Sequence, residues 1–299
     1  MDFQAINDAL PIEEIAHPEA IKRSIDLRIL RLDQTHAEIS GNKWFKLKYN
    51  LLQANQGGQS TLLTFGGAYS NHIYALAAAA RLFGFQSIGI IRGEEYAELN
   101  TTLSFAKANG MMLKYMDRQS YRIKMDGHII GELKKEFGDF YLIPEGGTNE
   151  LAIKGASEIA DHIHDEFDYF CLSVGTGGTM AGLISGLNTQ GKIIGFSSLK
   201  GSFLAEEVSD LLSKYSQREL NNWKINNDYH FGGYAKVKPE LIEFIKEVES
   251  GFGLLLDPVY TGKMLFGVID LIKKGVIPSG SKVLTIHTGG LQGRAGFGI

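Results

Sequence analysis

Only one cysteine, Cys171, occurs among the 299 residues, so no disulfide can close within the chain. That usage fits a reducing cytoplasm. Proline is scarce as well, with 6 against 36 glycines. The ratio argues against a proline-rich linker protein and for many tight strand-to-helix turns. Basic excess is missing: 30 lysines and arginines meet 34 aspartates and glutamates, a formal net charge of -4. Such a chain carries no electrostatic footprint for nucleic acid or a membrane surface. No apolar run approaches the roughly 20 residues of a membrane-spanning helix. The acidic opening, MDFQAINDALPIEE, lacks the apolar centre of a signal peptide. Metal-ligand spacing is also absent. In Asp161-His162-Ile163-His164-Asp165 the two histidines would point to different faces of a helix, whereas useful pairs sit at i and i+4. A charged solvent face is expected there, and no metal. Cys171 lies inside an apolar run and reads as a small packed hydrophobe, not a nucleophile.

What is present is an ordinary globular composition, 44% hydrophobic and 21% charged, in a chain long enough for one large or two ordinary domains. Apolar runs of strand length alternate with amphipathic helical segments. Strands are predicted at Leu27 to Leu32, Thr61 to Phe65, Ser87 to Ile91, Met111 to Tyr115, Phe140 to Ile143, Tyr169 to Val174, Lys192 to Phe196 and Lys282 to His287. Helices fall between them, among them Trp44 to Ala54, Asn71 to Phe83, Leu151 to His164 and Met180 to Leu187. The polar stretch Ser216 to Asn227 reads as a long loop. Such alternation predicts an α/β fold with parallel sheets covered on both faces, and ligands at the carboxyl ends of the strands.

Three of those strand-to-helix turns carry chemistry. Ser40-Gly41-Asn42-Lys43 pins one lysine at a glycine turn, where Asn42 is a good helix-start residue. A lysine desolvated there has a lowered pKa and becomes a nucleophile towards carbonyls. Gly175-Thr176-Gly177-Gly178-Thr179 can turn backbone N–H groups and threonine hydroxyls on a phosphate at a helix start. It is neither a Walker loop nor the dinucleotide G-x-G-x-x-G pattern. Gly66-Gly67-Ala68-Tyr69-Ser70-Asn71-His72 can grip a carboxylate, although Ser70 and Asn71 also sit where helix caps sit. A phosphate cup, a carboxylate cup and a nucleophilic amine together suit pyridoxal phosphate acting on an amino acid.

With these residues in view, the chain resembles the pyridoxal-phosphate enzymes of the tryptophan-synthase-β fold type, and among them the group of 1-aminocyclopropane-1-carboxylate (ACC) deaminase and D-cysteine desulfhydrase. The likeness runs from Ser40 to Gly290 through SGNKWFKL, GGAYSNH, GTGGTMAGL, LLLDPVYTGKM and IHTGG. It implies two three-layer α/β/α domains with mostly parallel sheets, the small one spanning residues 44–139 and the large one 1–43 plus 140–299. It implies pyridoxal 5'-phosphate held by Lys43 as a Schiff base, with Asn71, Thr176, Gly177, Gly178, Thr179, Thr261 and Thr288 also at the cofactor. Ser70, Asn71 and His72 map to the substrate. Tyr260 of the P-V-Y motif and Tyr234 of Gly232-Gly233-Tyr234 map to the family's two active-site tyrosines. A small amino-acid substrate and a homodimer are implied too.

Two departures bear on the substrate. ACC deaminases resemble P-V-Y-E-G-K with leucine before the final Gly-Gly, whereas this chain has Thr261 and Thr288. A carboxylate beside the pyridine nitrogen would strengthen the electron sink that cyclopropane opening needs, and expulsion of a thiolate needs it less. The threonines therefore imply α,β-elimination to a keto acid and ammonia, as in D-cysteine desulfhydrase, with ACC deamination as the alternative. Tyr69 stands where the family often has glutamine. Ser40-x-x-Lys43 also matches a penicillin-binding hydrolase, but S-D-N and K-T-G are missing. A non-catalytic cofactor or metabolite binder on the same fold is the reading of another class.

Overall fold

The computed structural model describes residues 3–95, 97–215 and 220–299. Ten strands follow one another: β1 (Ile12–Glu14), β2 (Asp26–Leu30), β3 (Thr61–Gly66), β4 (Gln86–Arg92), β5 (Met111–Met116), β6 (Tyr141–Ile143), β7 (Tyr169–Val174), β8 (Lys192–Ser197), β9 (Trp223–Asn226) and β10 (Lys282–Ile286). They form two sheets, a six-stranded one ordered β1-β2-β10-β7-β8-β9 and a four-stranded one ordered β5-β4-β3-β6. Only β1 runs antiparallel to its neighbour.

The alternation along each strand explains the layers. Ile193 and Ile194 are adjacent in β8, yet one enters the core beneath helices Asn42–Gln56 and Gly178–Leu187 and the other the core beneath helix Thr261–Lys273. Side chains alternate across a sheet, and a sheet covered on both faces needs apolar residues at every position. Leu62 and Leu63 divide the same way around the four-stranded sheet. The result is two three-layer α/β/α units whose sheets share one continuous core. In helix Asn71–Phe83, Ala75 and Ala77 to Ala80 are all buried. Their small side chains let the helix lie close to its sheet. Cys171 is wholly buried, and burial pushes its thiol far above the ordinary range, which leaves it unreactive.

Three expectations need correcting. The stretch Ser216 to Asn227 is not all loop, because Trp223–Asn226 forms edge strand β9 against β8; its first four residues lie outside the described residues. The polar alternation of W-K-I-N is that of an edge strand with one face in solvent. Strand β6, at Tyr141–Ile143, pairs with β3 in the four-stranded sheet, beyond the expected limit of that unit at residue 139. The predicted helix from Leu151 to His164 is an α-helix only over Glu150–Ser157 and then tightens to 3-10 geometry. No helix among the described residues is long and apolar enough to cross a membrane.

Candidate active site

The site begins where Gly41 lets the chain turn. Its φ is +70°, and a Cβ there would stand 2.1 Å from the Thr288 carbonyl oxygen. Only glycine tolerates both demands. The Asn42 amide donates to that same carbonyl at 3.2 Å, so the turn after β10 anchors the start of helix Asn42–Gln56. Gly41, not Asn42, takes the cap position. The Asn42 side chain is thereby free to donate to Thr179 at 2.8 Å and to accept from Lys43 Nζ at 3.0 Å. The Lys43 amine points into the protein and has no carboxylate partner among the described residues. Burial lowers its pKa to about 8.

One helical turn on stands a residue that sequence reasoning missed. Lys46 is 1% exposed, and its Nζ donates to Thr148 at 2.8 Å and Thr176 at 3.3 Å. Burial, with Lys43 adding repulsion, drives its pKa well below the ordinary lysine value. Two buried amines with hydroxyls but no carboxylate for company form a site that an anion would complete. The signal was available, since Lys46 lies at i+3 from Lys43 on the same helical face. The cup itself is built by helix Gly178–Leu187, whose first N–H groups have no intrahelical partner and whose cap is Gly177 at φ +75°. A Cβ on Gly178 would press on Thr148 at 2.9 Å and on Lys46 Nζ at 3.3 Å. That crowding keeps the floor of the cup bare.

Ser70 caps helix Asn71–Phe83, its Oγ accepting from the amides of His72 at 3.2 Å and Ile73 at 3.3 Å. Asn71 Oδ1 accepts from Gln292 at 2.6 Å. His72, expected at the substrate, is turned inward. It is 1% exposed, and its Nε2 donates to Thr64 Oγ1 at 2.9 Å while that hydroxyl donates to the Ile143 carbonyl. Its ring lies under Gly147 and is held neutral by burial and by the two lysines. The ring is therefore a core histidine.

Tyr260 lies against Gly175, where a Cβ would come within 3.2 Å of the ring. Its ring centroid is 6.3 Å from that of Tyr234, the two rings meeting edge to face. Burial holds Tyr260 far above the ordinary phenol pKa, with Tyr234 and Asp257 adding to the shift. Thr261, expected at the cofactor, is spent elsewhere. Its hydroxyl donates to Asp257 Oδ1 at 2.7 Å and accepts the Asp257 amide at 2.9 Å. Thr261 is 0% exposed. Thr288 keeps its place beside the amine's turn, its hydroxyl 3.0 Å from Ser173 Oγ. Ser173, also missed, was visible as the one aliphatic hydroxyl in the apolar run of β7.

One small cavity is lined by Ser40, Asn42, Lys43, Asn71, Thr288 and Gln292. The amine, the carboxylate cup and the final glycine turn thus meet, and Lys46 with Thr148, Thr176 and Gly178 adjoins them. A wider surface depression, about 1360 Å³, lies elsewhere, at the opposite, amino-terminal ends of β7 and β8. Its size does not bear on the chemistry, for nothing there pairs an amine with a cup.

Two covered parallel sheets and a desolvated lysine beside an anion cup define an enzyme that works through a phosphorylated carbonyl cofactor. A family model described as pyridoxal-phosphate dependent enzyme matches residues 19–289, and the chain belongs to that family. It is 35% identical over 289 residues to a putative 1-aminocyclopropane-1-carboxylate deaminase of Pyrococcus abyssi, covering 92% of this chain and 87% of that protein. It is 32% identical over 293 residues to the mitochondrial bifunctional D-cysteine desulfhydrase/1-aminocyclopropane-1-carboxylate deaminase of Arabidopsis thaliana, covering 90% of this chain and 73% of that one. A crystal structure of an ACC deaminase homologue superposes with a TM-score of 0.86 at 30% identity, covering 99% of this chain and 93% of the other. The protein is a pyridoxal-phosphate-dependent enzyme.

Proposed function

We propose that this enzyme removes a β-substituent from a small amino acid by α,β-elimination and releases a keto acid and ammonia, in the manner of D-cysteine desulfhydrase. The observation that carries the reading is the Lys43 amine, its pKa lowered to about 8, adjoining a second buried lysine, with no carboxylate partner for either among the described residues. When bound, the cofactor supplies an electron sink for charge developing on the substrate's α-carbon. Lys43 would hold its aldehyde. Lys46, Thr176, Thr179 and the first N–H groups of helix Gly178–Leu187 would hold its phosphate, and Thr288 would meet the ring nitrogen.

The remaining chemistry belongs to the chain's own groups. Ser70 accepts two N–H bonds yet keeps its own hydroxyl hydrogen for the substrate carboxylate, aided by the Asn71 amide. The Lys43 amine, neutral in a good fraction near pH 8, takes the α-proton. Tyr260 stays a phenol at neutral pH, so it can give a proton to the departing group with Tyr234 beside it. The neutral hydroxyls of Thr288 and Ser173 favour expulsion of a good leaving group over ring opening.

ACC deamination is the second reading, and the names of the relatives favour it. Holoenzyme supplied with D- or L-cysteine, β-chloroalanine, serine, homoserine and ACC separates the two. Keto acid is expected from D-cysteine well above that from ACC, and equal release would overturn the preference. Lys43→Ala is expected to abolish turnover together with the visible absorbance of the bound cofactor. We also read the enzyme as a cytoplasmic homodimer, on the family likeness and the single buried cysteine; light scattering in solution checks the mass.

A further inference from the structure

The rim of the cleft carries an arginine, Arg92, that has no ion-pair partner among the described residues. Arg92 ends β4 and reaches towards the loop that bears Ser70, its Nη2 lying 3.9 Å from where a Cβ on Gly67 would be. Its guanidinium carbon is 6.0 Å from the Tyr121 ring centroid. None of the ion pairs among the described residues includes Arg92, whose side chain is exposed. Glu145, the acid facing this rim, is already engaged, since Lys124 pairs with it at 3.0 Å. Lys124 itself lies 4.5 Å from the same ring.

The other wall repeats the pattern. The glycine turn carrying Tyr234 is flanked by Lys200 and Lys236, whose Cβ atoms lie 3.5 and 3.4 Å from the positions that side chains on Gly233 and Gly232 would take. The Tyr234 hydroxyl lies within the field of Arg92. Arg92 therefore stands at the side of the cleft where a substrate's distal group would pass the two tyrosines. Asp257, the remaining carboxylate near them, is buried and bound by four donors. A guanidinium presents a planar fork that matches a carboxylate or phosphate through two parallel hydrogen bonds.

We propose that Arg92 reads the far end of the substrate, and that the enzyme prefers small amino acids bearing an anionic group on the β-carbon. This rests on the elimination reading above. With O-phosphoserine as the example, Lys43 takes the proton from Cα. The electron pair left behind forms the Cα–Cβ double bond, and the Cβ–O bond breaks with its pair leaving on phosphate. Water then replaces the amino group, so that O-phosphoserine and water become pyruvate, ammonia and phosphate. No oxidant or reductant enters.

The test uses holoenzyme, both enantiomers of O-phosphoserine, serine and β-chloroalanine. Calorimetry gives the dissociation constants of O-phosphoserine and serine, and keto-acid release gives kcat/KM. One enantiomer of O-phosphoserine is expected to bind at least tenfold more tightly than serine. Arg92→Gln should erase that margin and lower the kcat/KM ratio of O-phosphoserine to β-chloroalanine at least tenfold. Arg92→Lys should fall between, because it keeps the charge and loses the fork. Equal affinities in the wild type, or a margin that survives Arg92→Gln, would overturn the proposal. Failure to turn over β-chloroalanine would sink the elimination reading instead, while the binding margin would still decide the role of Arg92.

Discussion

Thr261 gives its hydroxyl to Asp257 across 2.7 Å, and three backbone amides, those of Val259, Tyr260 and Thr261, complete the shell of that carboxylate. Asp257 is thus an internal anchor for the start of helix Thr261–Lys273 and for the backbone of Tyr260. Burial raises its pKa, and the four hydrogen bonds pull it part of the way back. A glutamate at 261, as in the ACC deaminase pattern, would set a second carboxylate against it in a space with no solvent. Thr261→Glu is expected to destabilise the fold by several kcal/mol, about 3–5, without conferring ring opening. Thermal melting and ACC assays check this; a stable variant that deaminates ACC would show that Thr261 faces the cofactor after all.

Lys46 should govern how tightly the cofactor's phosphate is held. Hydrogen bonds to a charged group contribute roughly 1.5–3 kcal/mol, so Lys46→Met is expected to weaken cofactor binding about ten- to hundredfold. Lys43 would remain in place, and excess cofactor should restore part of the activity. Arrival of a phosphate dianion also raises the amine's proton affinity. Proton uptake on cofactor binding in weak buffer is therefore expected, and its loss in Lys46→Met checks the assignment.

The Lys43 amine supplies a pH dependence with a definite sign. Its pKa is lowered from 10.5 to about 8. Capture of the aldehyde by apoenzyme should accelerate with rising pH and level off above about 8, read by stopped-flow absorbance. The unfolded chain keeps its lysine proton up to the ordinary value. Hence the folded apoenzyme should gain stability as pH rises from 8 towards 10.5, where the unfolded state alone still binds the proton. A capture rate independent of pH between 6 and 9 would contradict this account.

Lys263 is buried at 1% exposure and donates to the carbonyls of His230 and Gly233 at 2.9 Å each. It clamps the turn that presents Tyr234 to Tyr260. Lys263→Met leaves both carbonyls without their donor, an expected loss of about 1–3 kcal/mol in stability. If Tyr234 acts in proton transfer, kcat should fall with little change in KM. Lys263→Arg and Tyr234→Phe in parallel separate the clamp from the phenol.

Much of this site was readable from the amino acids alone, because glycine turns after apolar runs announce themselves. Gly41, Gly66 and Gly177 mark the three loops, and the alternation of strand and helix places them at the same edges. Lys46 was not read because a lysine inside a helix is usually solvated, and only tertiary packing buries its amine. The engagement of Thr261 was hidden for a related reason: its hydroxyl's partner is Asp257, four residues earlier, whose carboxylate folds back over the helix start. His72 was misplaced since its sequence neighbours touch the cleft while its own ring faces Thr64. Strand β9 escaped notice because an edge strand with a wet face has no continuous apolar run.

The contact of Gly41 with the Thr288 carbonyl joins two points separated by nearly the entire polypeptide. A ribosome delivers the reactive amine early and its anchor last. Until β10 docks, the turn that positions the lysine lacks its anchor at the Thr288 carbonyl. Secure loading is therefore expected to wait for this late anchor, and a truncated product ending before residue 288 should capture far less cofactor than the full chain, as its visible absorbance would report.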